Sequence, residues 1–334
     1  MQDDYERAVK RVRKLFEERG SGALREAEVR VREIDIECDE AKEALSHFMS
    51  YWRDVVRPSL VSLACEAVGR DPSIAETAGR ALSLLSGATD VHDDIIDRTM
   101  AKEGRKTVPG RFGDDIAMLV GDALIFEGFA ELLEGLVQMD ISPRRKMEIL
   151  RTVKELYFEM FDGEVLELRF RGRTDVDPGE YLHVLRKKAA DIEAIMRVGG
   201  ILGGGSREQV DALGKYGRLL GTMVLLRNDL EDMLDHDLLN LRVRNESLPL
   251  PILYALSHDD VRDEVLSILG SGKIGKAEAN RLLKVVSLVG AVSRLEGLFA
   301  DLKSKAREVV KKTKLRDVFN DILEATAPSR ISKL

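Results

Sequence analysis

The residues with the clearest capacity for chemistry are carboxylates, and a dense group of them lies in the segment VHDDIIDR, at Val91–Arg98. If this segment is helical, Asp93 and Asp97 lie on one face with their Cβ atoms about 5–6 Å apart, and Asp94 flanks them. Like charges at this spacing repel each other, and the surrounding residues are too apolar for a fully hydrated face. Water, nearby cations or a bound metal must therefore offset the repulsion.

A second acidic segment, LRNDLEDMLDHD, repeats this spacing, with Asn228 and Asp232 four residues apart and Asp229 between them. All of these donors are oxygens, which suit magnesium, and the His- or Cys-rich spacing of a zinc site is absent. A solvated helix face would explain either segment alone. Two such segments facing one cavity would instead hold several magnesium ions around a diphosphate. The isolated His92 and His236 are assigned to structural roles.

The composition favours an acidic protein with a large core and disfavours a nucleic-acid binder. The 334 residues are 44% hydrophobic and 33% charged, with a formal net charge of −7, which disfavours general binding to a polyanion. Neither Cys38 nor Cys65 has a CxxC partner, and two free thiols are consistent with a reducing cytoplasm. The charged N-terminal segment is unlike a signal peptide, and no apolar run reaches the roughly 18–20 residues of a membrane span.

Apolar residues recur at intervals of three and four almost everywhere, which predicts about a dozen helices and essentially no sheet. We expect a first helix to end at Gly20–Gly22, and another to end at Gly69–Ser73 with Ser73 as the next N-cap. A long polar loop is expected over Ala101–Gly113, and shorter breaks are expected over residues 140–146, 174–180, 203–208 and 270–275. No linker or shift in composition divides the chain, so one domain over residues 1–334 is expected.

Six segments, in the same order along the chain, resemble the trans-isoprenyl diphosphate synthase family (polyprenyl synthetases). They are RPSLVSLACEAVG at Arg57–Gly69, HDDIID at His92–Asp97, FGDDIAMLVGDALIFEGFAELL from Phe112, RKKAADIEA at Arg186–Ala194, RNDLED at Arg227–Asp232 and LPLPILYAL at Leu248–Leu256. The resemblance implies an all-α fold, a single large helical bundle around a deep central cavity (the isoprenoid synthase fold). It also implies a homodimer, with a heteromer as the alternative.

The resemblance further implies a mechanism. Up to three magnesium ions bridge the aspartates to an allylic prenyl diphosphate, which ionises to an allylic cation. The double bond of isopentenyl diphosphate usually attacks this cation, and diphosphate then takes a proton. Metals and basic residues stabilise the leaving group, and the apolar cavity keeps water from the cation. The protein expected from the resemblance is a cytoplasmic prenyltransferase of isoprenoid biosynthesis.

The functional residues of the family carry over position by position. The expected catalytic set is the first aspartate motif together with a lysine that binds the allylic diphosphate: Asp93, Asp94, Asp97 and Lys187. The expected metal ligands come from both motifs: Asp93, Asp97, Asn228, Asp229 and Asp232. The expected substrate-binding residues are Arg57, Lys102, Lys187, Ser86, Ala88 and Thr89.

Departures from the family pattern concentrate where the family binds isopentenyl diphosphate. A Lys-Arg pair of the family reads Asp54 and Val55, a histidine reads Ser86, and paired arginines after the first motif read Lys102 and Glu103. Charge-assisted hydrogen bonds contribute about 1.5–3 kcal/mol each, so losing three or four without replacement would lower affinity for this diphosphate by several powers of ten. The candidate replacements are the nearby basic residues Arg242, Arg244, Arg105 and Lys106.

Other departures affect the second motif and the cavity. The leading aspartate of the second motif reads Asn228, a neutral ligand, and a glutamine before it reads Leu225. Ala88 and Thr89 are small where bulky residues shorten the tunnel of short-chain members, which favours a long prenyl chain. Asp90 stands where the family has an apolar residue, and its role is left open between a metal, an acceptor and a structural bond.

Three functions remain in competition. The first is a magnesium-dependent prenyltransferase whose acceptor is isopentenyl diphosphate or another nucleophile. The second is an enzyme like class I terpene synthases, which ionises the diphosphate without isopentenyl diphosphate, although the cyclase Ser/Thr and Glu spacing is absent and aromatic residues are only 5% of the chain. The third is a non-catalytic regulatory subunit of a heteromeric synthase, against which the retained Asp93, Asp94 and Asp97 argue.

Overall fold

The computed structural model of the chain describes residues 2–102, 104–272 and 274–328, and this part is almost entirely α-helical. The first eight helices are α1 (Gln2–Glu33), α2 (Asp39–Tyr51), α3 (Val56–Ala67), α4 (Glu76–Ile96), α5 (Val108–Phe112), α6 (Asp114–Gln138), α7 (Pro143–Leu168) and α8 (Pro178–Lys188). The next eight are α9 (Ala190–Leu202), α10 (Arg207–Leu234), α11 (His236–Asn245), α12 (Leu250–Leu256), α13 (Asp259–Leu269), α14 (Lys276–Leu288), α15 (Ala291–Val310) and α16 (Arg316–Thr326). The predicted all-α class is confirmed.

Helix α4 passes through the middle of the packed helices and carries the first acidic motif at its C-terminal end. Residues 78–88 of this helix are all buried, and α4 packs against α1, α3 and α6. A second layer forms where α9 packs against α3, α7 and α10. The buried length of α4 fixes its acidic end at the edge of the packed helices, where Asp93 and Asp97 are half-buried. None of the described helices has the length and apolar character needed to cross a membrane.

The predicted end of the first helix at Gly20–Gly22 is wrong, because α1 continues unbroken to Glu33. The reason is close packing. A Cβ atom at Gly20 would lie 2.3 Å from the carbonyl oxygen of Val55, whereas a Cβ atom at Gly22 would meet nothing within 4 Å. Gly20 therefore allows α1 to approach the start of α3, and it does not break the helix.

These two glycines make a matched test of the packing. We expect Gly20→Ala to destabilise the fold by about 2 kcal/mol, because an overpacked site forces backbone or side chains to shift. Gly22→Ala should stabilise it by roughly 0.5–1 kcal/mol, because alanine is the better helix former in open space. Shifts of the chemical denaturation midpoint measure both. Equal effects of the two substitutions would contradict the packing explanation.

Two other predicted boundaries need correction. The side chain of Asp71, not that of Ser73, caps the short 3-10 helix Pro72–Ala75, because Asp71 accepts a hydrogen bond from Ser73 N. The segment expected to be a polar loop contains a two-stranded hairpin, β1 (Ala101–Lys102) and β2 (Arg105–Lys106), and then α5. Glu103 lies outside the described residues. The hairpin brings Lys102 back towards α4.

Candidate active site

A polar cleft lies where the C-terminal ends of α4 and α7 meet α8 and the segment between α11 and α12. Its lining is mostly charged and consists of Asp93, Ile96, Asp97, Glu164, Glu167, Leu168, Arg171, Lys188, Glu246 and Ser247. Asp93 and Asp97 thus share one face of α4, as their spacing predicts. Five carboxylates face two cations in this lining, so the cleft carries excess negative charge.

Asp94, the remaining acid of the first motif, is turned away from the cleft. Asp94 is 4% exposed, and its Oδ1 lies 2.6 Å from Lys102 Nζ. Asp94, which the sequence assigns to catalysis, therefore pairs with Lys102, which the sequence assigns to substrate binding. Their contact joins the hairpin to α4 and lies behind Asp93 and Asp97.

Three carboxyl groups of the cleft, those of Asp93, Asp97 and Glu164, have raised pKa values and therefore resist ionisation. Burial, and then the negative charge of Glu246, raise the pKa of Asp97 to about 7. Burial also raises the pKa of Asp93 and of Glu164 above their ordinary values, although Lys188 opposes this shift at both. Burial is the main cause of all three shifts, because it disfavours the charged form of each carboxyl group. Bound cations would favour the charged forms.

Lys188 is the main cation of the cleft. Its Nζ lies 2.9 Å from Glu164 Oε2 and also pairs with Glu167. Burial opposes ionisation of Glu167, but the charges of Lys188 and Arg242 outweigh burial and lower the pKa of Glu167 to about 2. Arg171 completes the basic side of the cleft, with Nη2 donating to Ile96 O at 2.8 Å and lying 3.6 Å from Asp97 Oδ1.

The lysine assigned from the sequence is not the one that lines the cleft. Lys187 Nζ lies 2.7 Å from Asp162 Oδ2, and Asp162 is exposed. Lys188, the next residue, contacts the two glutamates of the cleft. Sequence reasoning also missed Glu164 and Glu167. Their three-residue spacing in FDGEVLEL repeats the pattern of carboxylates on one helical face and was the available signal.

One acid of the second motif, Asp229, is buried and fully paired within the protein. Asp229 is 1% exposed. Its oxygens accept hydrogen bonds from Tyr181 Oη at 2.9 Å, from Arg242 Nη2 at 2.6 Å and from Leu250 N at 3.2 Å. Arg242 Nη1 lies 3.4 Å from Asp232 Oδ2. Arg242, considered in the sequence as a replacement for lost phosphate contacts, is instead the counter-ion of this motif.

Arg242 also connects the two motifs. Its Nη1 lies 3.1 Å from Oε2 of Glu246, which lines the cleft beside Asp97. Asn245 Nδ2 donates to Asp97 O at 3.0 Å. The segment after α11 therefore brings the motifs to the same side of the molecule, but Asn228 and Asp232 do not belong to the lining of the cleft as described.

The donor chemistry of the cleft fits magnesium. Asp93, Asp97 and Glu164 offer carboxylate oxygens in a lining with more acids than cations, and hard divalent ions prefer such ligands. At the second motif the fit is poorer, because the oxygens of Asp229 already accept hydrogen bonds from a tyrosine hydroxyl, a guanidinium and a backbone N–H group. Asp232 remains half-buried and is the more accessible acid there.

A compact group of donors, Asp235, His236 and Asp237, lies at the start of α11. Both of its acids are exposed, and the Asp235 side chain caps α11 by accepting from Asp237 N and Leu238 N. These contacts give Asp235 a structural role, and the structural role expected for His236 stays a prediction.

A second polar group, the inner polar cluster, lies beside the preceding turns of α4. The charges of Asp54, Asp90 and Asp191 act on Arg57, and those of Asp54 and Asp191 also act on Tyr157. We include Ser86 because it precedes Asp90 by one turn of α4. Arg57 Nη1 lies 2.9 Å from Asp54 Oδ2, and Arg57 Nη2 lies 3.0 Å from Asp191 Oδ2. Trp52 Nε1 donates to Asp90 Oδ2 at 3.0 Å. The arginine retained from the family pattern is therefore held between two carboxylates.

Two hydroxyl groups of the inner polar cluster have no hydrogen-bond partner among the described residues, namely Ser86 Oγ and Tyr157 Oη. Ser86 is 3% exposed and lies four residues before Asp90 on the same face of α4. Burial, and then the charge of Asp191, raise the pKa of Tyr157 above its usual range, so its hydroxyl stays protonated. Burial also raises the pKa of Asp90, although Arg57 and Trp52 oppose the shift.

The two small residues assigned to the tunnel have local contacts. Ala88 is fully buried in an apolar cluster with Phe48 and Trp52. Thr89 Oγ1 donates to Ser86 O at 2.7 Å. These contacts explain both residues as helix packing, and their effect on prenyl chain length stays a prediction.

Comparisons with known proteins agree with this arrangement. The family model described as polyprenyl synthetase matches residues 40–286. A short chain isoprenyl diphosphate synthase of Methanothermobacter thermautotrophicus is 32% identical over 256 residues, which cover 74% of this chain and 77% of the relative. A geranylgeranyl diphosphate synthase of Methanosarcina mazei is 28% identical and covers 81% of each chain.

A solved structure extends the comparison to nearly the whole chain. The geranylgeranyl pyrophosphate synthetase from Pyrococcus horikoshii superposes with a TM-score of 0.79 at 25% identity, covering 99% of both chains. The match of the family model spans the acidic motifs, the cleft and the inner polar cluster. The chain therefore belongs to the polyprenyl synthetase family, the trans-isoprenyl diphosphate synthases.

Proposed function

We propose that the chain is a magnesium-dependent prenyltransferase that binds an allylic prenyl diphosphate in the polar cleft and ionises it. The observation that carries the proposal is the set of carboxylates around Lys188. Asp93, Asp97 and Glu164 are set close together in a partly enclosed cleft, with excess negative charge. Relatives whose names describe isoprenyl and geranylgeranyl diphosphate synthases support the same substrate class.

Each residue of the cleft has a distinct task in this mechanism. Magnesium, when bound, supplies positive charge that stabilises the departing diphosphate. Asp93 and Asp97 would hold it, with Glu164 as a further ligand. Lys188 and Arg171 would donate hydrogen bonds to phosphate oxygens, and these donors become more effective as charge develops on the leaving group. Ile96 and Leu168 present apolar surface to the cleft.

The direct test is release of diphosphate. The purified chain is incubated with farnesyl or geranylgeranyl diphosphate and magnesium, and diphosphate release is measured with and without excess EDTA. We expect release only with magnesium. Absence of release with both substrates would overturn the proposed function and would favour the regulatory-subunit alternative, which is then tested by adding an active synthase and comparing its products.

We also propose that the chain forms a homodimer through α6 and α7. Both helices expose rows of large apolar side chains, which monomeric proteins rarely leave uncovered. Those on α6 are Met118, Leu119, Phe126, Phe129, Leu133 and Val137, and those on α7 are Met147, Phe158, Phe161, Val165 and Leu168. A two-fold axis would let the same rows of both copies cover each other.

Sedimentation analysis tests the homodimer. We expect Phe126→Arg to weaken dimerisation by about a hundredfold or more. The substitution places a charge in an apolar contact, and loss of one hot-spot side chain typically costs a complex about 2 kcal/mol or more. Phe126 is 77% exposed in the isolated chain. The control is Leu288→Arg, at a residue that is 82% exposed at the end of α14. A monomeric native chain, or equal effects of both variants, would contradict the proposal, and a native chain that dimerises only with a second synthase would indicate a heteromer.

A further inference from the structure

We propose that the inner polar cluster binds the nucleophile of the reaction, and that this nucleophile is a hydroxyl group, of water or of an organic alcohol, rather than a second diphosphate. The inference rests on the proposed function, because it concerns what attacks the cation formed in the cleft. Three properties of the cluster carry it: its charge, its unpartnered hydroxyl groups and its position beside the first acidic motif.

The charge of the cluster is wrong for a diphosphate. Three carboxylates, Asp54, Asp90 and Asp191, surround one guanidinium, that of Arg57, so the net formal charge is −2. The donors of Arg57 are directed at two of these acids, with Nε and Nη2 at Asp191 and Nη1 at Asp54. A diphosphate placed here would meet like charges in an environment of low dielectric constant, where repulsion is strong. It would also find no free cation within the cluster.

The unpartnered groups are suited to a hydroxyl ligand. Ser86 and Tyr157 have hydroxyl groups that are buried without a partner, which is uncommon in folded proteins. The one hydrogen bond that Asp90 receives among the described residues comes from Trp52 and reaches Oδ2. A hydroxyl group both donates and accepts, so it can donate to Asp90 and accept from Tyr157 or Ser86. A protonated amine could offset the negative charge, but it has no lone pair with which to attack.

The cluster borders the place where the reaction would occur. Positions 86, 90, 93 and 97 follow one another at intervals of four, three and four residues, so they form one stripe along α4. Asp93 and Asp97 line the cleft, and Asp90 and Ser86 continue the stripe into the molecule. The cluster retains accessible surface, with 24% of the Arg57 side chain and 13% of the Asp191 side chain exposed. A ligand there would lie on the same face of α4 as a diphosphate bound in the cleft.

The reaction balances without a further reagent. The allylic C–O bond breaks, and its electron pair leaves on the diphosphate. A lone pair of the hydroxyl oxygen forms the new C–O bond at the allylic cation, and the hydroxyl proton passes to Asp90 or to the released diphosphate. Water gives a prenyl alcohol, and an organic alcohol gives a prenyl ether.

Isotope labelling separates the sources of the hydroxyl group. The chain is incubated with magnesium and farnesyl diphosphate in ¹⁸O-labelled water, alone, with 3-methyl-3-buten-1-ol and with radiolabelled isopentenyl diphosphate. We expect either an ¹⁸O-labelled prenyl alcohol, which identifies water, or a prenyl ether, which identifies the alcohol, and no extended chain. Chain extension as fast as alcohol or ether formation would overturn the inference and leave the proposed function intact.

A binding measurement tests which ligand the inner polar cluster accepts without requiring turnover, so that failure of the inference is distinguished from failure of the proposed function, which absence of diphosphate release would show. Farnesyl S-thiolodiphosphate and magnesium fill the cleft, and binding of radiolabelled isopentenyl diphosphate is then measured by equilibrium dialysis. We expect no saturation of the native chain up to about 1 mM. Binding should be at least about tenfold tighter in the double variant Asp54→Asn/Asp191→Asn, which frees Arg57 for a charge-assisted contact.

The double variant is chosen to preserve the fold. Asp54 Oδ1 accepts from Val56 N and Arg57 N at the start of α3, and asparagine keeps this cap while removing the charge. The control is Asp260→Asn, at an exposed acid in the first turn of α13. Saturable binding by the native chain, or no gain in the double variant relative to the control, would overturn the inference.

Discussion

Replacing Asp93 by asparagine is expected to reduce magnesium-dependent release of diphosphate about a thousandfold, because a metal that neutralises a leaving group contributes several kcal/mol to the transition state. Asp93 lines the cleft together with Asp97 and Glu164, and asparagine removes the negative charge with almost no change in volume. The measurement is the initial rate of diphosphate release at saturating magnesium. Unchanged release would remove Asp93 from the site.

Metal binding and stability provide readouts that a merely unfolded variant would not reproduce. Mn²⁺ affinity, measured by electron paramagnetic resonance, should fall in Asp93→Asn and not in the exposed control Asp260→Asn. Without metal, the variant should be more stable than the native chain, because it removes one of several crowded carboxylates. Loss of stability together with unchanged Mn²⁺ affinity would contradict a ligand role.

The same carboxylates predict the pH dependence of the metal-free protein. The folded-state pKa of Asp97 is raised to about 7, whereas an unfolded carboxyl ionises near pH 4. Between these values the folded state holds a proton that the unfolded state has released, so unfolding free energy should fall as pH rises from about 4 to about 7. Saturating magnesium should reduce this loss, and denaturation midpoints across this range measure both effects.

The fold was predictable because the apolar residues repeat with helical spacing and the family segments follow one order. The position of Asp93 and Asp97 on one face followed from their spacing alone. Long-range packing was not available in the same way. A glycine such as Gly20 predicts a helix break from sequence alone. Only the close approach of the Val55 carbonyl explains why a glycine stands inside this helix.

The motifs predicted which segments carry the acids of the site, but they did not predict the direction in which each side chain points. Asp93 and Asp94 are adjacent and chemically identical, yet one lines the cleft and the other pairs with Lys102 behind it. Asp229 belongs to a motif of metal ligands, but Tyr181 and Arg242 reach it from other helices and occupy its oxygens. Such partners are distant in sequence, so their effect on a motif is visible only after folding.

The departure at Asp54 illustrates the same limit. Its negative charge, in place of a family cation, predicted a weakened pocket for isopentenyl diphosphate. The sequence did not show that Asp191, on α9, would hold the other side of Arg57. Nor did it show that the hydroxyl groups of Tyr157 and Ser86 would be buried without partners. These contacts change the interpretation from a pocket with missing donors to a pocket suited to a different nucleophile.

Separate substitutions of Lys187 and Lys188 show which of them binds the allylic diphosphate. The motif position indicates Lys187, whereas the lining of the cleft indicates Lys188. We expect Lys188→Met to lower kcat/KM for the allylic diphosphate about a hundredfold, because a charged donor to phosphate contributes about 1.5–3 kcal/mol. Lys187→Met should lower it less than about threefold, since Lys187 pairs with Asp162 outside the lining of the cleft and exposed ion pairs contribute little. Steady-state kinetics with varied allylic diphosphate measure both.

The stability of the Lys188 variant must be separated from its chemistry, because methionine leaves Glu164 and Glu167 without their shared cation. Lys188→Arg keeps the charge and should recover much of the lost kcat/KM, whereas a purely structural defect in Lys188→Met would appear as a lower denaturation midpoint with normal kinetics at low temperature. A larger kinetic loss in Lys187→Met than in Lys188→Met would show that the motif position, not the geometry of the cleft, identifies the lysine that binds the diphosphate.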